Sequence, residues 1–91
     1  MTKKRKYTTI PALSGKQLIK LLLKDGGNIA GKSSPGSHVA VVYYVKGHKQ
    51  VFIIPDTSES LPMGTLHGII SKKQTGLGKN GLLKLLNKYG K

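Results

Sequence analysis

The fold turns on "GSHVAVVYYVKGHKQVFIIP", residues 36–55. Residues 38–45, "HVAVVYYV", are β-branched and aromatic almost throughout, the composition of a strand packed on one side. "QVFIIP", residues 50–55, repeats the pattern. Between them "KGHK", residues 46–49, reads as a tight hairpin turn in which Gly47 supplies a positive φ. Pro55 ends the second strand, because a proline cannot donate to a ladder. Side chains alternate along a strand, so Tyr43 and Tyr44 point to opposite faces and at most one is core.

Working outward, the Ser33–Gly36 turn precedes the hairpin, and a short strand over Asn28–Lys32 precedes the turn. The three strands form an antiparallel meander. Ser14 is a good N-cap for "GKQLIKLLLKD", whose apolar stripe is Leu18, Ile19, Leu22 and Leu23. Lys16, Lys20 and Lys24 recur every fourth residue and share one face of that helix. Gly26-Gly27 stop it. After the hairpin, "DTSESLPMG" is a polar loop and "GTLHGIISKKQ" a second helix, which Lys72 and Lys73 finish where cations suit the helix dipole. "TGLGKNG" breaks that helix, and "LLKLLNKYG" forms a last one. The class is α+β, with helices packed on one face of the sheet. Residues 1–12 read as a flexible basic arm and residues 13–91 as a single domain.

Composition narrows the function. Sixteen Lys and Arg stand against three Asp and Glu, a formal charge of +13. Such an excess repels itself unless an anionic partner neutralises it. Nucleic acid, an anionic membrane surface and an acidic protein are the usual partners. No apolar run approaches the ~18 residues a membrane span needs. With no cysteine, a disulfide scaffold and a thiol nucleophile are excluded, and a reducing, cytoplasmic location fits. The three histidines and three acids have no ligand spacing, so neither a metal nor another cofactor is expected. The N-terminal arm has no apolar stretch of the kind a signal peptide carries.

His38 is the residue with chemical promise. On its own it has two readings. One is a polar residue that opens a strand and faces solvent. The other is a base whose ordinary pKa, about 6.5, suits proton abstraction near neutrality. A glycine and serine just before it would let a phosphate approach the backbone, with the N–H groups of Gly36 and Ser37 forming an anion-binding concavity. The Ser37 hydroxyl and Lys32 are candidate contributors. Lys16, Lys20 and Lys24 read equally well as a solvated face or as phosphate contacts. His48 reads as a solvated turn residue and His67 as a surface residue of the second helix.

Three segments in order resemble the HicA toxin family of toxin–antitoxin systems. "LSGKQLIKLLLKDGG" is similar to the family's first helix and glycine stop. "GSH", residues 36–38, is its most specific feature. Pro55 and "LPMGTLHGIISKKQTGL" resemble its strand-ending proline and closing helix. The likeness covers roughly residues 13–78. Where many members have a histidine after that proline, Asp56-Thr57 stand here. The resemblance implies a double-stranded-RNA-binding-domain-like fold, ribonuclease action on mRNA, His38 as the catalytic residue, and a HicB-type antitoxin as partner. Two other functions fit the residues less fully. One is a non-catalytic RNA-binding module of the same fold. The other is a DNA-binding helix-turn-helix in residues 64–89, whose last helix offers Lys84, Asn87 and Lys88 to a groove.

Overall fold

The computed structural model describes residues 7–32 and 37–90. In chain order the elements are α1 (Gly15–Lys24), β1 (Asn28–Lys32), β2 (His38–Val45), β3 (His48–Pro55), α2 (Met63–Ile70) and α3 (Gly78–Tyr89). The strands form one antiparallel sheet in the order β1-β2-β3. This is the α+β arrangement the sequence predicts.

Local chemistry explains most boundaries. Ser14 caps α1: its Oγ accepts from the Gln17 N–H, while the Gln17 side chain accepts from the Ser14 N–H. Two donors that the helix would leave unpaired are thereby satisfied. At the other end Gly26 takes φ +99°. β2 and β3 meet through Lys46 (φ 52°) and Gly47 (φ 83°) alone. Two left-handed residues match the twist of the flanking strands. The turn is thus two residues long rather than four, and His48 already belongs to β3.

The later helices differ from expectation. α2 ends at Ile70 instead of running on to Gln74. Ser71 is extended, and its carbonyl collects the N–H groups of Gln74, Thr75 and Gly76. The Thr75 hydroxyl donates to the Ile69 carbonyl at 2.7 Å, which satisfies an acceptor the helix end leaves open. Lys72 and Lys73 therefore sit in this turn, and the dipole account of them does not hold. α3 begins at Gly78, four residues before Leu82. Buried Leu77 folds over Gly81, where a Cβ would lie 2.7 Å from Leu77 Cδ1.

One core fills the space between the helices and one face of the sheet. Val39, Val41, Tyr43 and Val45 of β2 and Phe52 and Ile54 of β3 meet Leu18 and Leu22 of α1, Leu66 of α2 and Leu82 and Leu86 of α3. The Tyr43 and Phe52 rings pack edge to face at 5.8 Å, a contact worth ~0.5–1.5 kcal/mol beyond the area it buries. Of the adjacent tyrosines, Tyr43 is core and Tyr44 is exposed. The expected arm is shorter than twelve residues: Ile10 is buried and Tyr7 packs against the core. Tyr7 also exchanges backbone hydrogen bonds with the Asn87 side chain. Packing thus begins by Tyr7 rather than at Leu13. Lys3–Lys6 of the arm lie outside the described residues. Among the described residues no helix is long and apolar enough to cross a membrane.

Asp25, just beyond α1, ties three elements together. Its carboxylate accepts from Tyr43 Oη at 2.6 Å, Tyr89 Oη at 2.7 Å and Lys88 Nζ at 3.4 Å. The Tyr43 hydroxyl first, and then that of Tyr89, hold the Asp25 carboxyl below its usual range despite partial burial. Burial, reinforced by the carboxylate, pushes the Tyr43 phenol up.

Candidate functional site

His38 opens β2 and is exposed. In the pairing register it stands opposite Pro55. Its Nδ1 lies 3.1 Å from Ser37 Oγ. When Nδ1–H donates to that oxygen, the lone pair is on Nε2; in the other tautomer the Ser37 hydroxyl donates and Nε2 carries the proton. The ring thus has a fixed polar neighbour in either protonation pattern, which suits a group that takes and returns a proton.

The surroundings of His38 are set by backbone contacts. The Ser37 carbonyl accepts from the Asp56 N–H at 3.0 Å, extending the β2–β3 pairing one step past Pro55. The start of α1 is pressed into the same corner. The Lys16 N–H donates to the Thr57 carbonyl at 3.0 Å. A Cβ built on Gly15 would lie 1.6 Å from the Pro55 carbonyl oxygen. Only glycine permits that approach, so Gly15 sets where Lys16 stands. Lys16 Nζ donates to Asp56 Oδ1 at 2.9 Å, and the lysine side chain remains 55% exposed.

Ser37, His38 and Lys16 are therefore gathered at one corner of the domain. Lys20 joins Lys16 along a shallow cleft of about 260 Å³ that Leu23, Ile29 and Asp56 also line. Lys24 is exposed one helical turn further on and is not part of the cleft lining. Lys32 pairs with Val39 along the β1–β2 ladder. Gly36 lies outside the described residues, and the proposed concavity with it. The alternation of β2 carries a further consequence. His38 shares the outer sheet face with Ala40, Val42 and Tyr44, whereas α1 covers the inner one. Of the three helix lysines, Lys16 is the one tied to the strand-end residue Asp56.

His48 pairs with Val45 at the opposite end of the sheet, roughly 20 Å of strand away from His38. His67 is exposed on α2. Among the described residues no group of three His, Asp or Glu is placed to hold a metal ion. Asp56 and Gly15 complete the corner, and sequence reasoning did not single them out. Lys16 and Asp56 lie 40 positions apart, and no local spacing marks such a pair. Gly15 did carry a signal, since a glycine directly after an N-cap is a weak helix former that needs a packing reason. The chain matches no family model, no curated protein and no solved structure.

Proposed function

We propose that this chain is a toxin of the HicA kind: a metal-independent endoribonuclease that cleaves mRNA, uses His38 as general base and is neutralised by an acidic HicB-type antitoxin. The fold in this reading is double-stranded-RNA-binding-domain-like. The observation that carries it is the corner itself: an exposed histidine 3.1 Å from a serine hydroxyl, where the Ser37 carbonyl accepts from the Asp56 N–H and the Asp56 side chain pairs with Lys16. The resemblance of "GSH" and its flanking segments to the family supports the same assignment.

The chemistry is a transesterification. His38 takes the proton of a ribose 2′-hydroxyl, and that oxygen forms a bond to the adjacent phosphorus. The bond from phosphorus to the 5′-oxygen breaks, and the departing oxygen takes up a proton from water. The products are a 2′,3′-cyclic phosphate and a 5′-hydroxyl. Ser37 Oγ–H and the Lys16 ammonium supply donors to the charge that develops on the phosphate oxygens. Lys20 and Lys24 extend positive charge along α1 for the RNA backbone. The antitoxin is what the family resemblance implies, and a net charge of +13 is compatible with an acidic protein partner.

The helix-turn-helix reading is weakened by two engaged side chains. Asn87 is bonded to the Tyr7 backbone and Lys88 to Asp25. Of the three groove candidates on α3, this leaves Lys84.

The test is RNA cleavage in EDTA by the wild-type chain beside His38→Ala, with product ends mapped. The expected loss is ~10²–10⁴-fold, the usual contribution of a general base, with cyclic phosphate ends in the wild type. RNA binding by both chains with cleavage by neither would leave an RNA-binding module. Cleavage that survives His38→Ala would remove the histidine from the mechanism.

A further inference from the structure

The strand register sorts the sheet onto two faces with different occupants. The inner face is buried by helices. The outer face carries His38, Ala40, Val42 and Tyr44 from β2, and Lys49, Val51 and Ile53 opposite the last three of these. Its apolar members lie open: Tyr44 is 62%, Ile53 54% and Val51 49% exposed. An apolar, β-branched face left this bare in a small domain marks a binding surface.

Charge narrows the occupant. The chain has three carboxylates, Asp25, Asp56 and Glu59, and none is on a strand. Lys49 stands directly across from Tyr44, and exposed Lys46 follows in the turn. At one end of the face an aromatic ring is thus flanked by cations. At the other is the histidine of the proposed site. A ligand that fits must offer negative charge along its length and flat apolar faces between the charges. Unpaired nucleotides have both properties, and aromatic side chains on sheets stack on them. A duplex hides its base faces and would leave the apolar strip unused.

We propose that the outer sheet face is a platform for single-stranded RNA. Tyr44 stacks on a base, Lys46 and Lys49 meet the flanking phosphates, and the strand runs over Ile53 and Val42 toward His38, roughly 20 Å away. Delivery to His38 rests on the nuclease reading above, whereas the platform stands on binding alone.

Binding is measured by fluorescence anisotropy in a His38→Ala background, which removes cleavage by that residue. The probe is a labelled single-stranded RNA of about 12 nucleotides, beside its own duplex. Tyr44→Leu keeps apolar area but loses the ring; it weakens single-strand binding roughly tenfold, and Tyr44→Phe stays within about twofold of the parent. Lys49→Gln lowers the salt dependence by about one phosphate contact. Thermal melts confirm that each variant is folded. Tyr44→Leu binding as tightly as its parent overturns the platform, and so does equal weakening of single strand and duplex. Unchanged RNA affinity together with lost binding of an acidic protein partner would reassign the face to that protein. If wild-type chain fails to cleave while the Tyr44 effect holds, the nuclease reading falls and the platform remains.

Discussion

At the hairpin end of the sheet, Asp25 accepts three side-chain hydrogen bonds, from Tyr43, Tyr89 and Lys88. At the other end, contacts of similar structural consequence are made by backbone: Gly15 against Pro55, Lys16 N–H to Thr57, and Asp56 N–H to Ser37. The first arrangement consumes its polar side chains in holding α1, β2 and α3 together. The second holds α1 to the end of β3 mainly through main chain, with the exposed Lys16–Asp56 pair added, and keeps Ser37, His38 and Lys16 at the surface. The polar groups bound to Asp25 are taken up in packing, so at the hairpin end the outer-face residues Tyr44 and Lys49, with Lys46 of the turn, are left to meet a ligand.

Substitutions can break this contrast or sharpen it. The largest effect is expected at Gly15. Gly15→Ala drives a methyl group into the Pro55 carbonyl, and backbone cannot yield as a flexible side chain does. The cost is about 3 kcal/mol or more, read from denaturant unfolding. A loss below about 0.5 kcal/mol would mean that the corner is not held as described. Next comes Asp25→Ala, which strands two partly buried tyrosine hydroxyls and costs about 2 kcal/mol.

Asp25 also predicts a pH dependence. Its carboxyl is lowered from the usual 3.8 in the folded chain. Folding therefore favours the ionised form. The stabilisation is complete above about pH 4 and is lost as pH falls through the lowered folded value. Melting temperatures of wild type and Asp25→Asn should converge on going from pH 6 to pH 2. A gap that is constant over that range would show that the carboxylate charge does not matter. Smallest in stability is Lys16→Gln. The Lys16–Asp56 pair is exposed, and such pairs contribute ~0–1 kcal/mol. Stability should change little while RNA cleavage falls severalfold. The reverse outcome would make Lys16 a structural residue and erase the contrast between the two ends.

Much of this was legible in the residues. The element order, the hairpin, the Ser14 cap and the split between Tyr43 and Tyr44 followed from periodicity and turn chemistry, because these depend on neighbours in sequence. The end of α2 did not follow, since it depends on the Thr75 hydroxyl reaching back six positions to Ile69. Ile10 looked like part of a solvated arm because its burial comes from the packed core and not from local pattern. The Asp25 cluster joins positions 25, 43, 88 and 89, and no rule of spacing unites them. The candidate site was partly legible. His38, Ser37 and Lys16 were named from the residues, but their meeting at one corner needed the antiparallel register and the Gly15 contact.

The bonds between Tyr7 and the Asn87 side chain span 80 positions. Closing a loop of that length costs roughly 4 kcal/mol of chain entropy. Two ordinary hydrogen bonds return about 1 kcal/mol each. They cannot bring the two segments together from an open chain. Their meeting depends on Ile10 and α3 being held in the core. The two bonds add little beyond what that burial already fixes.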